Sequence, residues 1–426
     1  MVDAARVGVI GAGGSGVVMA SALARAGQDF EVLEARGGVG GTWRYDPDGE
    51  GSACYESLVT NTSKLRTSLR SGRIGGHPWQ HASHTEMLDY LEGIVRRDSL
   101  GDRIVLGCRV EAAVRDDSGW RVGSENGEER HYQALVCALG VNGRPRWANF
   151  DGNFTGEQLH SASYRTPERF AGRDVLVIGL GTSGCEVAGE AAGHARSVTV
   201  AVRSPMWLMT RRLAGVPIDW LDNPQLGRLL PWSWRRPLIA GLCKATTGRL
   251  KRHGVPAPQR RCGDDIIAIS DTFPRAVRAG LVDMRPAVRS VDGSEVQFED
   301  GSTKNFDVIV HATGFDLPTH FLPATARPDA AMLYRGIAHV NEPSLLFVGL
   351  IEAHRALLPI VEAQAAWTAD HLAGRLRLPD QASATATAHA EARARARDFG
   401  TRRRYIVDHA KYMATLRSDR RHAISR

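Results

Sequence analysis

Residues 175–189 read VLVIGLGTSGCEVAG: a short apolar strand, glycines at 179, 181 and 184, and the beginning of a helix. A chain that turns in this way exposes unpaired N–H groups and the positive end of a helix dipole, which together cradle the phosphates of a dinucleotide. The same arrangement occurs earlier, in VGVIGAGGSGVVMAS at residues 7–21. Two copies predict an α/β fold with two Rossmann-like dinucleotide-binding domains, and 426 residues are enough to fill two cores.

In the earlier copy, Gly11, Gly13 and Gly16 match GxGxxG. Gly11 permits the tight turn, Gly13 lets backbone approach a pyrophosphate, and Gly16 lets the helix pack on the strand. Gly14 and Ser15 lie at the helix N-terminus, where free N–H groups face the ligand, and the helix runs to Ala26. A second strand, FEVLEA, ends at Glu34, about twenty residues after the turn, where a carboxylate can accept from both hydroxyls of a ribose. The stretch ARGGVGGTWRY follows, with Gly37, Gly38, Gly40 and Gly41 ahead of Thr42 and Trp43. So many glycines suit close approach of backbone to something flat or charged, and a flavin fits that need; an ordinary surface loop is the plain alternative. Gly41, Thr42 and Trp43 therefore join the cofactor-binding candidates, as does Val110.

The later copy has its strand at 174–178, its glycines at Gly179, Gly181 and Gly184, Thr182 and Ser183 at the turn, and a helix expected over 183–193. Its second strand, SVTVAVR, ends at Arg203, followed by Ser204, with no acidic residue until Asp219. An arginine there suits a 2′-phosphate and makes NADPH the second nucleotide. A solvated arginine is the bland reading, and Arg211 and Arg212 are close enough in sequence to share such a load. Two further strands end in small-residue turns, YQALVCALGVNGRP (132–145) and NFDVIVHATGFD (305–316), the latter carrying Thr313 and Gly314. The simplest plan is an FAD domain from 1–165 and 310–426, with an NADPH domain, 166–309, inserted between. One turn would then hold the resident flavin and the other its electron donor.

Composition narrows the rest. The formal charge of +7 comes from basic residues concentrated in 203–261 and at the C-terminus, without an aromatic-interleaved RNA motif or a recognition-helix layout, so no nucleic-acid partner is expected. The six cysteines are scattered, with no CxxC and no metal-ligand spacing; reduced structural thiols are expected, and no metal. The missing CxxC also argues against a pyridine-nucleotide disulfide reductase. No apolar run reaches about 18 residues and no signal-peptide layout opens the chain, which predicts a cytoplasmic protein. The Trp-, Leu- and Arg-rich segment 206–242 can line a substrate entry, pack internally or touch a membrane surface, in that order of preference. The tail from 383, SATATAHAEARARARDFGTRRRYIV, reads as an exposed helix without chemistry.

With these residues in place, the chain resembles the group B flavoprotein monooxygenases, to about residue 375. The most specific piece is Phe154-Thr-Gly-Glu-Gln-Leu-His160-Ser-Ala-Ser-Tyr164, which fits the family pattern FxGxxxHxxx(F/Y); Baeyer–Villiger members usually end it in Trp. HATGFD matches the family's ATG segment, and VTNTSK (59–64) a segment whose asparagine lies near the flavin. RHGVP and VQFEDG resemble the compact plant-type enzymes that act on indole-3-pyruvate, while TSLRSGRIGGHPW replaces the family's Phe/Pro-rich segment. The resemblance implies that NADPH reduces FAD, that reduced flavin and dioxygen form a C4a-hydroperoxide, and that one oxygen atom passes to a small organic substrate. N- or S-oxygenation is the leading expectation, with Baeyer–Villiger oxidation or oxidative decarboxylation of a 2-oxo acid as the alternative. A non-oxygenating oxidoreductase or dinucleotide sensor is the rival class. Asn61 is the catalytic candidate, because an amide both donates and accepts, although asparagine in TNTS alone reads as a turn residue. His160 and His311 read as structural in preference to catalytic. A homodimer is left open.

Overall fold

The computed structural model describes residues 7–48, 52–221, 230–248 and 250–424. They form two compact units, residues 1–44, 63–143 and 317–426 in the first and 45–62 with 144–316 in the second.

The first unit is built on a seven-stranded sheet in the order Leu333–Tyr334, Ala338–His339, Leu345–Phe347, Ala134–Cys137, Val7–Ile10, Phe30–Leu33, Ile104–Val105. Its last five strands run parallel, with Val7 opposite both Phe30 and Ala134. Strands such as VGVI and ALVC are apolar throughout because both faces are covered, and all four residues of each are buried. The helix Gly14–Arg25 packs Val17, Val18, Met19 and Leu23 into the same core as Ile360, Val361 and Trp367 of the helix Leu358–Leu372.

The second unit carries a five-stranded parallel sheet: Glu157–His160, Val308–His311, Asp174–Ile178, Ser197–Ala201, Val282–Arg285. The internal plan is the same in both units. A glycine-turn strand sits between its βαβ partner (Phe30–Leu33 or Ser197–Ala201) and a later strand (Ala134–Cys137 or Val308–His311). An antiparallel meander precedes that later strand each time, at 110–132 and at 288–305.

Four expectations need correction. The boundary expected at 165 lies earlier, because Glu157–His160 pairs with Val308–His311 in the second sheet and Arg144–Pro145 pairs with Phe315–Asp316. The second turn helix is Thr182–Ala191, starting one residue before and ending two before the expected span. Asn61 lies inside a strand, Val59–Ser63, where β-branched neighbours outweigh the turn preference of TNTS. The tail is not simply exposed: the helix Gln381–Phe399 buries Ala384, Ala388 and Phe399, and Tyr412, Met413 and Leu416 of the helix His409–Ile424 join the first unit's core. Small residues at 384 and 388 are a contact face, which the alternation with arginine hides. Part of 206–242 (222–229) lies outside the described residues. In the rest, Met209 and Ile218 share a small core with Cys243, Cys262 and Ile267 beyond the segment, while Trp234 and Leu238 are exposed.

Candidate functional site

In the first unit the glycine turn has the shape its sequence requires. Gly11 has φ +99°, and a methyl group on it would lie 2.8 Å from the Ala138 carbonyl oxygen. A methyl on Gly16 would lie 1.8 Å from the Gly11 oxygen, so only glycine lets the helix seat on the strand. Gly13 caps the helix without a side-chain hydrogen bond and the first turn carries no acidic residue, so the N–H groups of Gly14 and Ser15 are available to an anion. In the run 37–41, Gly40 and Gly41 approach the backbone of the first glycine turn. Gly40 donates to the Ala12 carbonyl at 2.9 Å, and a methyl on Gly41 would meet Gly13 Cα at 2.8 Å. Arg36 Nη1 on the Gly41 oxygen and Arg44 Nε on the Val39 oxygen hold this run in place, and Gly41, Thr42 and Trp43 form one 3₁₀ turn.

Glu34 follows the strand Phe30–Leu33 and is buried, with Oε2 accepting from Ala12 N–H at 2.6 Å and Oε1 from Arg36 N–H at 3.0 Å. Each oxygen keeps a further lone pair, so the carboxylate is fixed beside the turn with acceptor capacity left for a ribose. Cys108 donates to the Glu34 carbonyl, which brings the start of Val110–Asp116 alongside; Val110 itself is buried.

The second unit repeats these features. Gly179 has φ +115° with its missing methyl 2.5 Å from the Ala312 oxygen, and a methyl on Gly184 would lie 2.2 Å from the Gly179 oxygen. Gly181 differs, since a methyl there would meet nothing within 4 Å. It caps Thr182–Ala191 without side-chain help and with no acid in the first turn, leaving its surface open to a ligand. Thr182 Oγ1 accepts from Ile269 N–H, and Ser183 is half-buried. Arg203 is exposed two residues past the strand Ser197–Ala201, with half-buried Ser204 beside it. Arg211 cannot share its expected role, because it is buried on Glu186 at 3.2 Å and Asp271 at 3.5 Å; Arg212 stays exposed. Burial pushes the Glu186 carboxyl up, and the Arg211 guanidinium opposes that shift.

Asn61 is exposed on its strand. Arg165, just past the FxGxxxHxxxY stretch, anchors the segment leading to it, donating to the carbonyls of Asp46 and Ser52 at 2.6 Å each. Tyr164 is fully buried, donates to Glu190 Oε2 at 2.6 Å and stacks parallel to Phe170. His160 accepts from Ala162 N–H on Nδ1 and donates from Nε2 to the Gly314 oxygen at 3.1 Å. That oxygen also accepts from Arg146 N–H, and the Thr313 hydroxyl donates to the Arg146 carbonyl. His311 accepts from Ala148 N–H and pairs with Gln158. Burial lowers both histidines, His311 to about 4, so both are neutral braces between segments. One participant escaped the sequence reading: Gly349, whose backbone rests on Ser15. Its signal, an apolar strand running into glycine in LLFVGL, was the same one read at 132–145 and 305–316.

Among the described residues no helix is long and apolar enough to cross a membrane, and no cluster of His, Cys, Asp and Glu could hold a metal. The chain is 27% identical to mouse flavin-containing monooxygenase 5 over 399 residues, 88% of this chain and 75% of that protein. It is equally 27% identical to the chimpanzee protein named dimethylaniline monooxygenase [N-oxide-forming] 2, over 89% of this chain and 75% of that one. Its fold matches cyclohexanone monooxygenase in its open crystal structure, with TM-score 0.76, 20% identity and coverage of 99% and 98%. It also matches S-allyl-L-cysteine S-oxygenase from Allium sativum, with TM-score 0.71, 23% identity and coverage of 98% and 88%. Residues 4–420 match the family described as flavin-binding monooxygenase-like, a span longer than the resemblance to about 375 implied. The chain belongs to that family, and is an oxidoreductase of the monooxygenase type whose cofactors are FAD and NADPH.

Proposed function

We propose that this enzyme transfers one oxygen atom from dioxygen to the nitrogen or sulfur of a small organic substrate. The observation that carries the choice of nitrogen or sulfur is Tyr164, fully buried with its hydroxyl on Glu190 at the position where Baeyer–Villiger members usually carry Trp. The N-oxide-forming relative supports the same choice. When bound, FAD supplies the two-electron and dioxygen chemistry, drawing its electrons from NADPH.

The chain's own residues take these parts. The N–H groups of Gly13, Gly14 and Ser15 bind the FAD pyrophosphate, Glu34 orients its ribose, and Gly41, Thr42, Trp43 and Val110 line the flavin side. Gly181, Thr182 and Ser183 bind the NADPH pyrophosphate, Arg203 and Ser204 the 2′-phosphate, and Thr313 and Gly314 border that nucleotide. Asn61 offers an amide that both donates and accepts at the reacting end, which makes it the proposed catalytic residue. Six buried free thiols fit a cytoplasmic location, since none pairs into a disulfide.

The test is a substrate panel run with the purified holoenzyme, following product by mass spectrometry. Amines and thioethers should turn over with one NADPH consumed per oxygenated product. If only ketones or 2-oxo acids yield product, the assignment to nitrogen and sulfur fails; if nothing does and oxygen is not consumed, the sensor reading takes its place.

A further inference from the structure

Gly349 follows the strand Leu345–Phe347, and its backbone lies on Ser15 in the first turn of the helix Gly14–Arg25. A methyl group there would sit 2.1 Å from Ser15 Oγ and 2.9 Å from Ser15 Cβ, and φ is +82°. This turn is therefore part of the wall beside the helix N-terminus. Its N–H donates to Gln364 Oε1 at 2.9 Å, which orients the amide so that Nε2 points away from the turn. Nε2 donates to Tyr412 Oη at 2.8 Å, and the Tyr412 hydroxyl donates to the Arg335 carbonyl at 2.6 Å. The Gly349 N–H at one end and the Arg335 carbonyl at the other thus set the bond directions of a chain of four residues whose middle members, Gln364 and Tyr412, are buried.

The far end of that chain is the C-terminal region. Tyr412 lies on the helix His409–Ile424, and Asp419 of the same helix takes the Arg335 guanidinium at 2.8 and 3.1 Å, alongside Glu391 of the helix Gln381–Phe399. Arg335 adopts φ +57°, a conformation that a residue with a side chain holds only when its surroundings impose it. A second tie runs in parallel: Glu352 N–H donates to the Tyr405 carbonyl and Val407 N–H to the Glu352 carbonyl, at 3.0 and 2.9 Å.

We propose that the C-terminal helix is part of the flavin-binding apparatus, with Tyr412 and Gln364 as positioning residues that hold the Gly349 turn against Ser15. The proposal rests on assigning the first glycine turn to FAD. A turn that is already ordered adds nothing to the cost of binding, whereas a released one must be ordered when the ligand arrives. The stretch that reads in sequence as an inert basic tail then sets how tightly the cofactor is kept.

The test compares four variants of the full chain with wild type by titrating apoprotein with FAD, with thermal melting of the apoprotein and KM for NADPH measured alongside. Tyr412→Phe and Gln364→Met cut the hydrogen-bond chain with little change of shape. Each should raise the dissociation constant for FAD about tenfold, the range expected for a buried hydrogen bond, and leave KM for NADPH unchanged. Leu416→Ala, on the same helix but outside the chain, should lower the melting temperature and keep FAD affinity within about twofold of wild type. Wild-type affinity in Tyr412→Phe and Gln364→Met would overturn the proposal, as would equal weakening by Leu416→Ala, which would reduce the helix to a general support. Gly13→Val separates the two levels: if it retains FAD fully, the assignment of the turn is wrong and the relay falls with it.

Discussion

Arg203 stands exposed two residues past the strand Ser197–Ala201, one position beyond buried Val202, which is the counterpart of the Glu34 that accepts from Ala12 N–H in the first unit. On the proposed assignment, Arg203 sets nucleotide choice. A guanidinium pairs with a 2′-phosphate through charge-assisted hydrogen bonds, and a carboxylate repels it. Arg203→Ala should raise KM for NADPH roughly ten- to a hundredfold and barely move NADH, read from steady-state kinetics with both nucleotides. Arg211 is committed to Glu186 and so cannot soften that loss. Equal weakening for both nucleotides would return Arg203 to the solvent. Asn61→Ala should leave FAD bound and divert NADPH oxidation from product to hydrogen peroxide, measured as peroxide released per NADPH. His311 predicts a pH effect. Its pKa falls to about 4 in the folded chain, chiefly by burial and secondarily through His160, so the unfolded chain binds the proton first as pH drops below the ordinary value near 6.5. Stability is full above that value and is lost as pH falls toward 4; by pH 5 the loss should reach about 2 kcal/mol. Thermal melting at pH 7 and pH 5 measures it, and His311→Gln should flatten the dependence.

At the scale of elements, the glycines of each turn divide by what a methyl group would strike. Gly184→Ala forces a carbon to within 2.2 Å of the Gly179 carbonyl oxygen, so it should unseat the turn helix and lower the melting temperature by several degrees. Gly181→Ala meets no protein atom within 4 Å and should fold normally, while weakening NADPH by placing a methyl where the phosphates approach. Circular dichroism melts beside NADPH titration distinguish the two outcomes. These turns were legible in the sequence because strand, glycine spacing, helix and second strand occur within about thirty residues, each step having a local cause. Helix ends were less so: Thr182 and Ser183 both offer capping side chains, yet Thr182–Ala191 begins on Thr182 with Gly181 as its cap. The Gly349 turn depends on Ser15, more than three hundred residues earlier, which local patterns do not encode.

For the whole molecule, the repeated plan of strand, helix, strand, meander and closing strand explains why two nucleotide turns occur in one chain. The sequence announced the two turns and the strands 134–137 and 308–311 but not the point of division, because the assignment of Glu157–His160 depends on pairing with Val308–His311, some 150 residues later. The tail misled for a similar reason: Ala384 and Ala388 look inert until Tyr334 and Trp367 stand against the same core. The central claim is that both turns serve one oxygen-transfer reaction, NADPH to FAD to dioxygen to substrate. Its most direct test is turnover of the purified holoenzyme with NADPH, an amine or thioether substrate and ¹⁸O₂. The account predicts one heavy oxygen atom in the product and one NADPH oxidised for each. NADPH oxidation that leaves the product unlabelled, or proceeds equally fast without oxygen, would contradict it.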